Sequence, residues 1–420
     1  MEPCTDVPAC GTVSYVNTVR TSYITDSSQR HDGAGQGKEG HSPPSLLPVR
    51  RVVLLIGQLG IGGAEKQVVL LARGLHERGI DTRVWALFGD TETYHGDMLR
   101  REGIPVVDLG LRRCRKVRYV LPNFARLASI IMRLRRERPD IVHAFLFHAY
   151  IAGVPVARMA RVPVFVAGRR SLGNFKEGRP VALAVERLAT RFTDLIIANA
   201  EAVAQDTLRR ERVRGDKLEV VCNGLAEQAF VQVSPVVVET VYPVVLCVAN
   251  LKRDKGHRYL LEAMSHLQIG GRPCTLLLAG DGAERPSLER DAARLRIDVR
   301  FLGRCEDVRP LLARADVVAH PSLEDGMSNA VMEAMAAGRP IVATSVGGTP
   351  ELLAERGLLV PAADPVELAE GIARILADHA LAARLGEEAR KWSQEHLSTA
   401  TMVDRHVRIY SRLLERTCAA

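Results

Sequence analysis

Three acidic side chains in the C-terminal half of this sequence are the residues best suited to chemistry. Glu324 and Asp325 are adjacent and precede Gly326, and Glu333 follows Asp325 by eight residues. A carboxylate accepts hydrogen bonds through two oxygens, so these residues suit neighbouring hydroxyl groups, such as those of a ribose or a sugar ring. A helix-capping loop, with Glu333 near a positive helix N-terminus, is the alternative interpretation.

The segments around these carboxylates predict one strand–helix–strand unit. An apolar run at 317–320 predicts a buried strand, and a helix is predicted to start near Asn329. Gly338-Arg339-Pro340 ends that helix, and a second strand at 341–344 leads into Gly347-Gly348. In parallel α/β sheets, ligands bind outside the carboxyl ends of the strands. The carboxylates and the glycines fall at those ends.

The same stretch resembles the signature of the retaining glycosyltransferases of family GT4, P-S-x-x-E-G-x-x-x-x-x-x-E-A-M-A-x-G-x-P-V-V-A-T-x-x-G-G-x-x-E. The first Glu of the signature is Asp325 here, with Glu324 as a neighbouring substitute, and the second is Glu333. The resemblance implies the GT-B fold, in which two doubly wound Rossmann-like domains face each other across a cleft. It also implies that Glu333 holds the donor ribose, and that the donor sugar is held by Asp325 with the neighbouring residues Gly326, Met327 and Ser328.

A second glycine-rich segment lies near residue 60. The apolar run VVLLIG predicts a central parallel strand, and Gly60, Gly62 and Gly63 precede a helix predicted to start near Ala64. A glycine-rich turn that enters a helix N-terminus can bind an anion, although tight strand–helix packing explains glycines equally well. The segment lacks the pattern G-x-G-x-x-G, so NAD is not expected. The string GGAEK resembles the GT4 N-terminal loop, which implies that Gly62 and Gly63 lie near the donor phosphates.

Histidines and arginines follow two further predicted strands of this half. His143 ends one strand and His148 starts the next helix. The resemblance favours His148 as the residue near the reacting sugar, since Phe145 occupies the position of the usual family histidine. Arg169 and Arg170 follow another strand, where a basic pair can meet phosphate. Asn199 is predicted to be the N-cap of the following helix.

Cations and glycines in the second half complete the predicted donor site. Lys255 matches the GT4 lysine that grips the donor diphosphate, and Arg253 is the candidate for its arginine partner. Cations suit this place because negative charge grows on the diphosphate as it leaves. Gly280 and Gly282 follow a strand and match the family pattern around the nucleotide.

Composition limits the class of protein. The chain has 420 residues, which suggests two or three domains, and no apolar run reaches the roughly 18 residues of a membrane span. Eight cysteines are scattered without a C-x-x-C pair, as in a reducing compartment. We therefore expect a cytoplasmic protein.

The charge is divided unevenly along the chain. Residues 51–230 hold 30 basic and 19 acidic side chains, a net of +11, whereas residues 231–420 have a net of −2. The segment 112–138 carries ten basic residues and one acidic residue. A basic amphipathic helix can lie on an anionic membrane, so we expect peripheral association with the inner face of the plasma membrane. No nucleic-acid-binding motif is present, and no nucleic-acid partner is expected.

These observations predict four regions and one activity. We expect a disordered tail at 1–48, an acceptor-side Rossmann-like domain at 49–228, a nucleotide-sugar domain at 229–395, and a C-terminal helix at 396–420 that returns to the first domain. The implied activity is transfer of a hexose with retention from a UDP- or GDP-linked donor to a hydroxyl of a glycan or a lipid-linked acceptor, in polysaccharide or glycolipid biosynthesis. No D-x-D motif occurs, so no metal or cofactor is expected. A UDP-sugar epimerase of the same fold and a non-catalytic nucleotide-sugar binder remain alternatives.

Overall fold

A computed structural model describes residues 49–60, 62–89, 91–112, 120–267 and 273–419. The predicted disordered tail at 1–48 lies outside these residues. The first domain contains a parallel seven-stranded sheet in the order β3-β2-β1-β4-β5-β6-β7. Its strands are β1 Arg51–Ile56, β2 Asp81–Phe88, β3 Val106–Leu111, β4 Ile141–Phe145, β5 Val164–Arg169, β6 Leu195–Ala198 and β7 Leu218–Val220.

The second domain contains a parallel six-stranded sheet in the order β10-β9-β8-β11-β12-β13. Its strands are β8 Val244–Val248, β9 Thr275–Ala279, β10 Val299–Gly303, β11 Val317–His320, β12 Ile341–Thr344 and β13 Leu358–Val360. The strands predicted at 317–320 and 341–344 are thereby confirmed. Their uninterrupted apolar runs agree with burial on both faces of a parallel sheet.

The helices alternate with these strands. They are α1 Gly63–Glu77, α2 Tyr94–Arg101, α3 Val120–Glu137, α4 Leu146–Met159, α5 Pro180–Arg191, α6 Glu201–Glu211, α7 His257–His266, α8 Arg285–Leu295, α9 Arg309–Arg314, α10 Asn329–Ala336, α11 Thr349–Leu353, α12 Pro365–Ala377, α13 His379–His396 and α14 Thr399–Ala419. The helix predicted near Asn329 is α10, and its N-cap Ser328 accepts a hydrogen bond from the Val331 amide. The described residues thus form two doubly wound α/β domains, as predicted.

The basic stretch at 112–138 is only partly described, because residues 113–119 lie outside the described part. Within α3, Arg133 pairs with Glu137 at 2.8 Å and lies over the Trp85 ring, 5.4 Å from its centroid. The Arg135 guanidinium donates to the Met159 carbonyl at 2.9 Å. These contacts hold two of the predicted membrane-facing arginines against the first domain itself.

Helix α14 packs on α1, on one face of the first sheet. Gly74 of α1 is buried, and a Cβ built on it would lie 2.5 Å from Cγ2 of Val403 on α14. The Tyr410 hydroxyl of α14 lies 2.7 Å from His143 Nδ1 at the centre of the sheet. The C-terminal helix is therefore part of the core of the first domain.

We predict that Gly74→Ala destabilises the protein, because the added methyl group overlaps Val403; overpacking of this kind costs about 1–3 kcal/mol. In a Val403→Ala background the methyl group has room. There the same change should be neutral, or stabilising by up to about 1 kcal/mol, since alanine favours a helix over glycine. Urea unfolding of the four proteins measures this coupling. An equal cost of Gly74→Ala in both backgrounds would contradict the packing of α14 on α1.

Candidate functional site

In both parallel sheets the order of the strands reverses once, and the predicted site residues follow the strands at that point. In the first sheet β1 and β4 are neighbours, and the strands that follow β1 lie on one side of this pair while those that follow β4 lie on the other. In the second sheet β8 and β11 are the equivalent pair. Ligands of doubly wound sheets bind beyond the carboxyl ends of such strands. The segments that follow these four strands carry Gly62 and Gly63, His148, Lys255 and Asp325.

Asp325 lies in a compact charged group beyond β11. Its Oδ2 accepts hydrogen bonds from Lys255 Nζ and His320 Nε2, each at 3.0 Å. Burial alone would raise the pKa of this carboxyl, but the His320 and Lys255 contacts outweigh burial and hold the pKa well below its usual range. The structure thus brings together Asp325 and Lys255, two residues that sequence reasoning assigned to the sugar and to the diphosphate.

The backbone at Gly256 lets Lys255 reach this position. Gly256 has φ of 67°, in the left-handed region, and a Cβ built on it would lie 1.9 Å from the Pro321 carbonyl oxygen. Only glycine can occupy such a place without moving the neighbouring loop. The loop after β8 and the loop after β11 can therefore approach closely, with Lys255 between them.

Glu324 and Asp325 have different surroundings. The Glu324 carboxylate accepts a hydrogen bond from the Asn174 side chain of the first domain, and burial raises its pKa. Its carbonyl lies 3.4 Å from Lys255 Nζ. Glu324 therefore contacts the opposite domain, while Asp325 is held by groups of its own domain.

Hydrogen bonds from Met327 and Asn329 join the second domain to the first. Asn329 Nδ2 donates to the Gly63 carbonyl at 3.1 Å, and its Oδ1 accepts from Gln67 at 3.2 Å and from Asn223 at 3.0 Å. Asn223 Nδ2 also donates to the Met327 carbonyl at 3.2 Å. We call this set, Gly63, Gln67, Asn223, Met327 and Asn329, the polar seam.

Gly326 and Gly348 allow the backbones to meet beside the seam. A Cβ on Gly326 would lie 2.3 Å from the carbonyl oxygen of Arg170, in the first domain. The Gly348 amide donates to the Gly326 carbonyl at 2.6 Å, and a Cβ on Gly348 would lie 2.7 Å from that of Ala200. The predicted donor-site glycine at 326 is therefore needed for close contact between the domains, whatever else it binds.

Glu333 lies in the second turn of α10 and forms an ion pair with Lys66 of α1. The Glu333 side chain is only 14% exposed, whereas that of Lys66 is 42% exposed. The pair crosses between the domains, so the carboxylate predicted to hold ribose is matched by a cation from the opposite wall. Lys66 lies in the string GGAEK but is not among the site residues predicted from the sequence.

The start of α6 corrects one prediction. Asn199 was expected to be its N-cap, but the N-cap position is Ala200, and its side chain makes no capping hydrogen bond. The Glu351 carboxylate of the second domain accepts hydrogen bonds from the amides of Glu201, at 2.8 Å, and Ala202, at 2.7 Å. Burial raises the Glu351 pKa, although the amides favour its ionised form. A cap supplied 150 residues away leaves no local sequence signal.

A carboxylate lies at the start of α1, where phosphate binding is predicted. Gly62 is its extended N-cap, and a Cβ there would lie 2.3 Å from Oε2 of Glu65, one helical turn ahead. The Glu65 carboxylate accepts a hydrogen bond from its own amide, and burial raises its pKa. Helix N-termini bind anions because their amides are unpaired and the helix dipole is positive there. An acidic side chain of this chain thus occupies the region predicted for phosphate.

The two candidate histidines differ in accessibility. His148 is exposed in the first turn of α4, and Phe88 and Phe147 lie edge-on to its ring with centroids 5.7 Å away. His143 is fully buried, and burial together with His406 and Arg170 lowers its pKa well below the ordinary value. Of the two, only His148 can meet a substrate directly.

The remaining predicted residues are placed as follows. Arg253 is exposed in a short 3-10 helix after β8. Cβ atoms on Gly280 and Gly282 would lie 2.0 Å from the Ala249 carbonyl and 2.3 Å from the Leu251 carbonyl, so both glycines allow packing against the loop that leads to Arg253. Arg169, considered for phosphate, is instead buried in a cluster of two cations and two carboxylates, with Lys176, Glu186 and Glu211. That assignment of Arg169 was wrong, because its side chain is buried inside this cluster.

No group of three potential metal ligands among His, Cys, Asp and Glu occurs in the ranges described. None of the helices described there combines the length and the apolar character that crossing a bilayer demands.

Comparison with known proteins identifies the family. The model for "Glycosyltransferase Family 4" matches residues 61–228, and the model for "Glycosyl transferases group 1" matches residues 242–378. The lipopolysaccharide core biosynthesis glycosyltransferase LpsE of Rhizobium meliloti is 27% identical over 83% of this chain and 95% of its own. The alpha-D-kanosaminyltransferase of Streptomyces kanamyceticus is 28% identical over 67% of this chain and 79% of its own.

Solved structures agree on the fold. Anabaena HepE, crystallised with UDP-glucose, superposes with a TM-score of 0.74 at 22% identity, over 88% of this chain and all of its own. Sucrose-phosphate synthase from Thermosynechococcus elongatus has a TM-score of 0.72 at 22% identity, over 87% of this chain and all of its own. The chain is therefore a glycosyltransferase of glycan biosynthesis that belongs to family 4, group 1, and it has the GT-B fold.

Proposed function

We propose that the protein transfers a hexose, with retention at the anomeric carbon, from a nucleoside diphosphate sugar to a hydroxyl of a glycan or lipid-linked acceptor. The observation that carries this proposal is the arrangement of Glu333, Asp325 and Lys255 opposite the N-terminus of α1. Its carboxylates, cations and helix amides support the proposal, because carboxylates suit hydroxyl groups, and cations and amides suit phosphates.

In this proposal the donor ribose binds at Glu333. A carboxylate 14% exposed is costly to leave without a partner, and Lys66 now supplies that partner. A ribose with two neighbouring hydroxyls can donate to both carboxylate oxygens and replace the ammonium group. Lys66 is then released beside the donor, where its charge suits the diphosphate.

The diphosphate is proposed to lie between the N-terminus of α1 and the loop after β8. Gly62 and Gly63 supply backbone amides, and Lys255 and Arg253 supply positive charge. The Glu65 carboxylate must move from the helix N-terminus to admit the phosphates. These groups stabilise the leaving diphosphate as its charge increases, and this stabilisation lowers the barrier.

The transferred sugar is proposed to lie between Asp325 and His148. Asp325 and the backbone of Gly326, Met327 and Ser328 hold its hydroxyls, and His148 borders its other side. The acceptor oxygen bonds to the anomeric carbon on the face from which the diphosphate departs, as the carbon–oxygen bond to the β-phosphate breaks. The acceptor proton passes to the departing phosphate oxygen, so no protein base is consumed.

The proposal also covers the class of sugar donor and the location of the enzyme in the cell. HepE was crystallised with UDP and with UDP-glucose, which supports UDP-hexoses as the first donors to test here, before GDP-linked sugars. We retain the proposal of a cytoplasmic enzyme that needs no metal or cofactor. Neither matched family points to an epimerase.

A donor panel tests the proposed function. The purified protein is incubated with UDP-, GDP- and ADP-sugars without acceptor, and binding and slow release of nucleoside diphosphate are measured with and without EDTA. We expect one nucleotide class to bind and to be hydrolysed slowly, with the anomeric configuration retained in the first-formed sugar by NMR. Interconversion of the sugar nucleotide would favour the epimerase, and binding without turnover in any acceptor mixture would favour the binder.

We predict that Glu333→Gln weakens donor binding about tenfold or more, because charge-assisted hydrogen bonds contribute roughly 1.5–3 kcal/mol. The measurement is titration calorimetry with the donor identified by the panel. Glu370→Gln on α12 makes the same chemical change at an exposed position of the same domain and should leave the affinity unchanged. Equal affinities of the two variants would remove Glu333 from the site.

We predict that the stability provided by Asp325 depends on pH. Its pKa is lower in the folded protein than in the unfolded chain, where it is about 4, so on acidification the unfolded chain binds the proton first. The contribution is fully present above about pH 5 and is progressively lost in more acidic solution. Melting temperatures of wild type and Asp325→Asn should therefore converge as pH falls from 6 toward 3. A constant difference over that range would contradict the ion pairs described for Asp325.

A further inference from the structure

Helix α5 exposes an apolar stripe. Val181, Val185, Leu188 and Phe192 follow one another at intervals of four, three and four residues, which places them on one face of the helix. They are 75%, 40%, 54% and 53% exposed. Large side chains so exposed along a single face are typical of a surface that contacts an apolar partner.

Helix α4 extends this surface toward the candidate site. It packs beside α5 and contains one charged residue, Arg158, in 14 residues. Pro155 and Met159 are exposed along α4, and the Phe147 ring lies 5.7 Å from His148 and 5.8 Å from the half-exposed Phe175. Exposed apolar residues thus occur on both neighbouring helices, and aromatic contacts join Phe147 to His148 and to Phe175.

The charges around this surface are positive. Residues 146–192 include eight basic and two acidic side chains, but three of the basic ones and Glu186 are buried, which leaves five basic side chains and one acid, Glu177, at the surface. Arg179 at the start of α5, Arg191 at its end and Arg161 after α4 are exposed. An apolar stripe with arginines at both ends matches the interface of a bilayer that contains anionic lipids.

We propose that the outer face of α4 and α5 docks on an anionic membrane surface. One part of this proposal rests on the proposed function. In that part, the acceptor carries an apolar chain, and docking brings the acceptor hydroxyl near His148. The docking face differs from the basic stretch at 112–138, in which Arg133 and Arg135 contact the first domain itself.

Vesicle flotation tests the docking. The full chain is mixed with vesicles of phosphatidylcholine alone or with 30% phosphatidylglycerol, at low and high salt. We expect binding to the anionic vesicles that weakens with salt, and a loss of about tenfold or more in the partition coefficient of Val185→Asp/Leu188→Asp. Val366→Asp, which changes a 55% exposed valine on α12 of the second domain, is the control and should bind like wild type.

Three results would overturn the docking: no flotation of wild type at low salt, equal flotation of the α5 variant and the control, or a wild-type dimer in light scattering that the α5 variant alone converts to a monomer. Arg179→Gln/Arg191→Gln should reduce the salt-sensitive part of binding, and unchanged salt dependence would count against the proposed charge matching. Circular dichroism melting of each variant confirms that it is folded.

Donor hydrolysis by the same variants separates this inference from the proposed function. The α5 variant should hydrolyse the soluble donor at the wild-type rate, since its changes lie outside the cleft. Transfer to an acceptor with an acyl or prenyl chain in vesicles should fall, whereas transfer to a soluble acceptor with the same sugar should not. Flotation without donor turnover would support membrane docking and reject the proposed reaction. Donor turnover without flotation would support the proposed reaction and reject membrane docking.

Discussion

The loop after β11 lies directly against the first domain, and this contact sets how closely the two domains approach. Asn329 bonds simultaneously to Gly63, Gln67 and Asn223, and Gly326 lies against the Arg170 backbone. A side chain at 326 would separate the two domains. Because the polar seam is built from helix and loop residues of both domains, it brings the glycine turn before α1 to the carboxylates of the second domain. The carboxyl ends of β1 and β4 in one sheet and of β8 and β11 in the other therefore border the same cleft.

Charges in this cleft already have partners. Lys66 pairs with Glu333, Lys255 pairs with Asp325, and Glu65 lies at the start of α1. Partly buried charges are costly without partners, and these contacts stabilise the charges that face the cleft. In the function proposed above, ribose hydroxyls replace the Lys66 ammonium group at Glu333, and the diphosphate replaces the Glu65 carboxylate at the start of α1.

Much of this was predictable from sequence, and the failures have a common cause. Apolar runs located the strands at 317–320 and 341–344, and the spacing of Asp325 and Glu333 identified the critical loop. The Asn199 cap was wrong because the amides of α6 bond to Glu351, and the Arg169 assignment was wrong because its partners lie on α5 and α6. Lys66 was overlooked although its motif was recognised, since its partner is 267 residues away. Local patterns predict elements, but partners distant in sequence depend on how two domains face each other.

A crystal structure of the protein with a nucleoside diphosphate bound tests the central claim most directly. The quantity to measure is the distance from the Glu333 carboxylate to Lys66 Nζ and to the ribose hydroxyls. We expect the ribose hydroxyls to contact Glu333, Lys66 to have left that carboxylate, and the diphosphate to lie at the start of α1 near Lys255. A nucleotide bound elsewhere, or one bound while the Lys66–Glu333 pair stays intact, would contradict it.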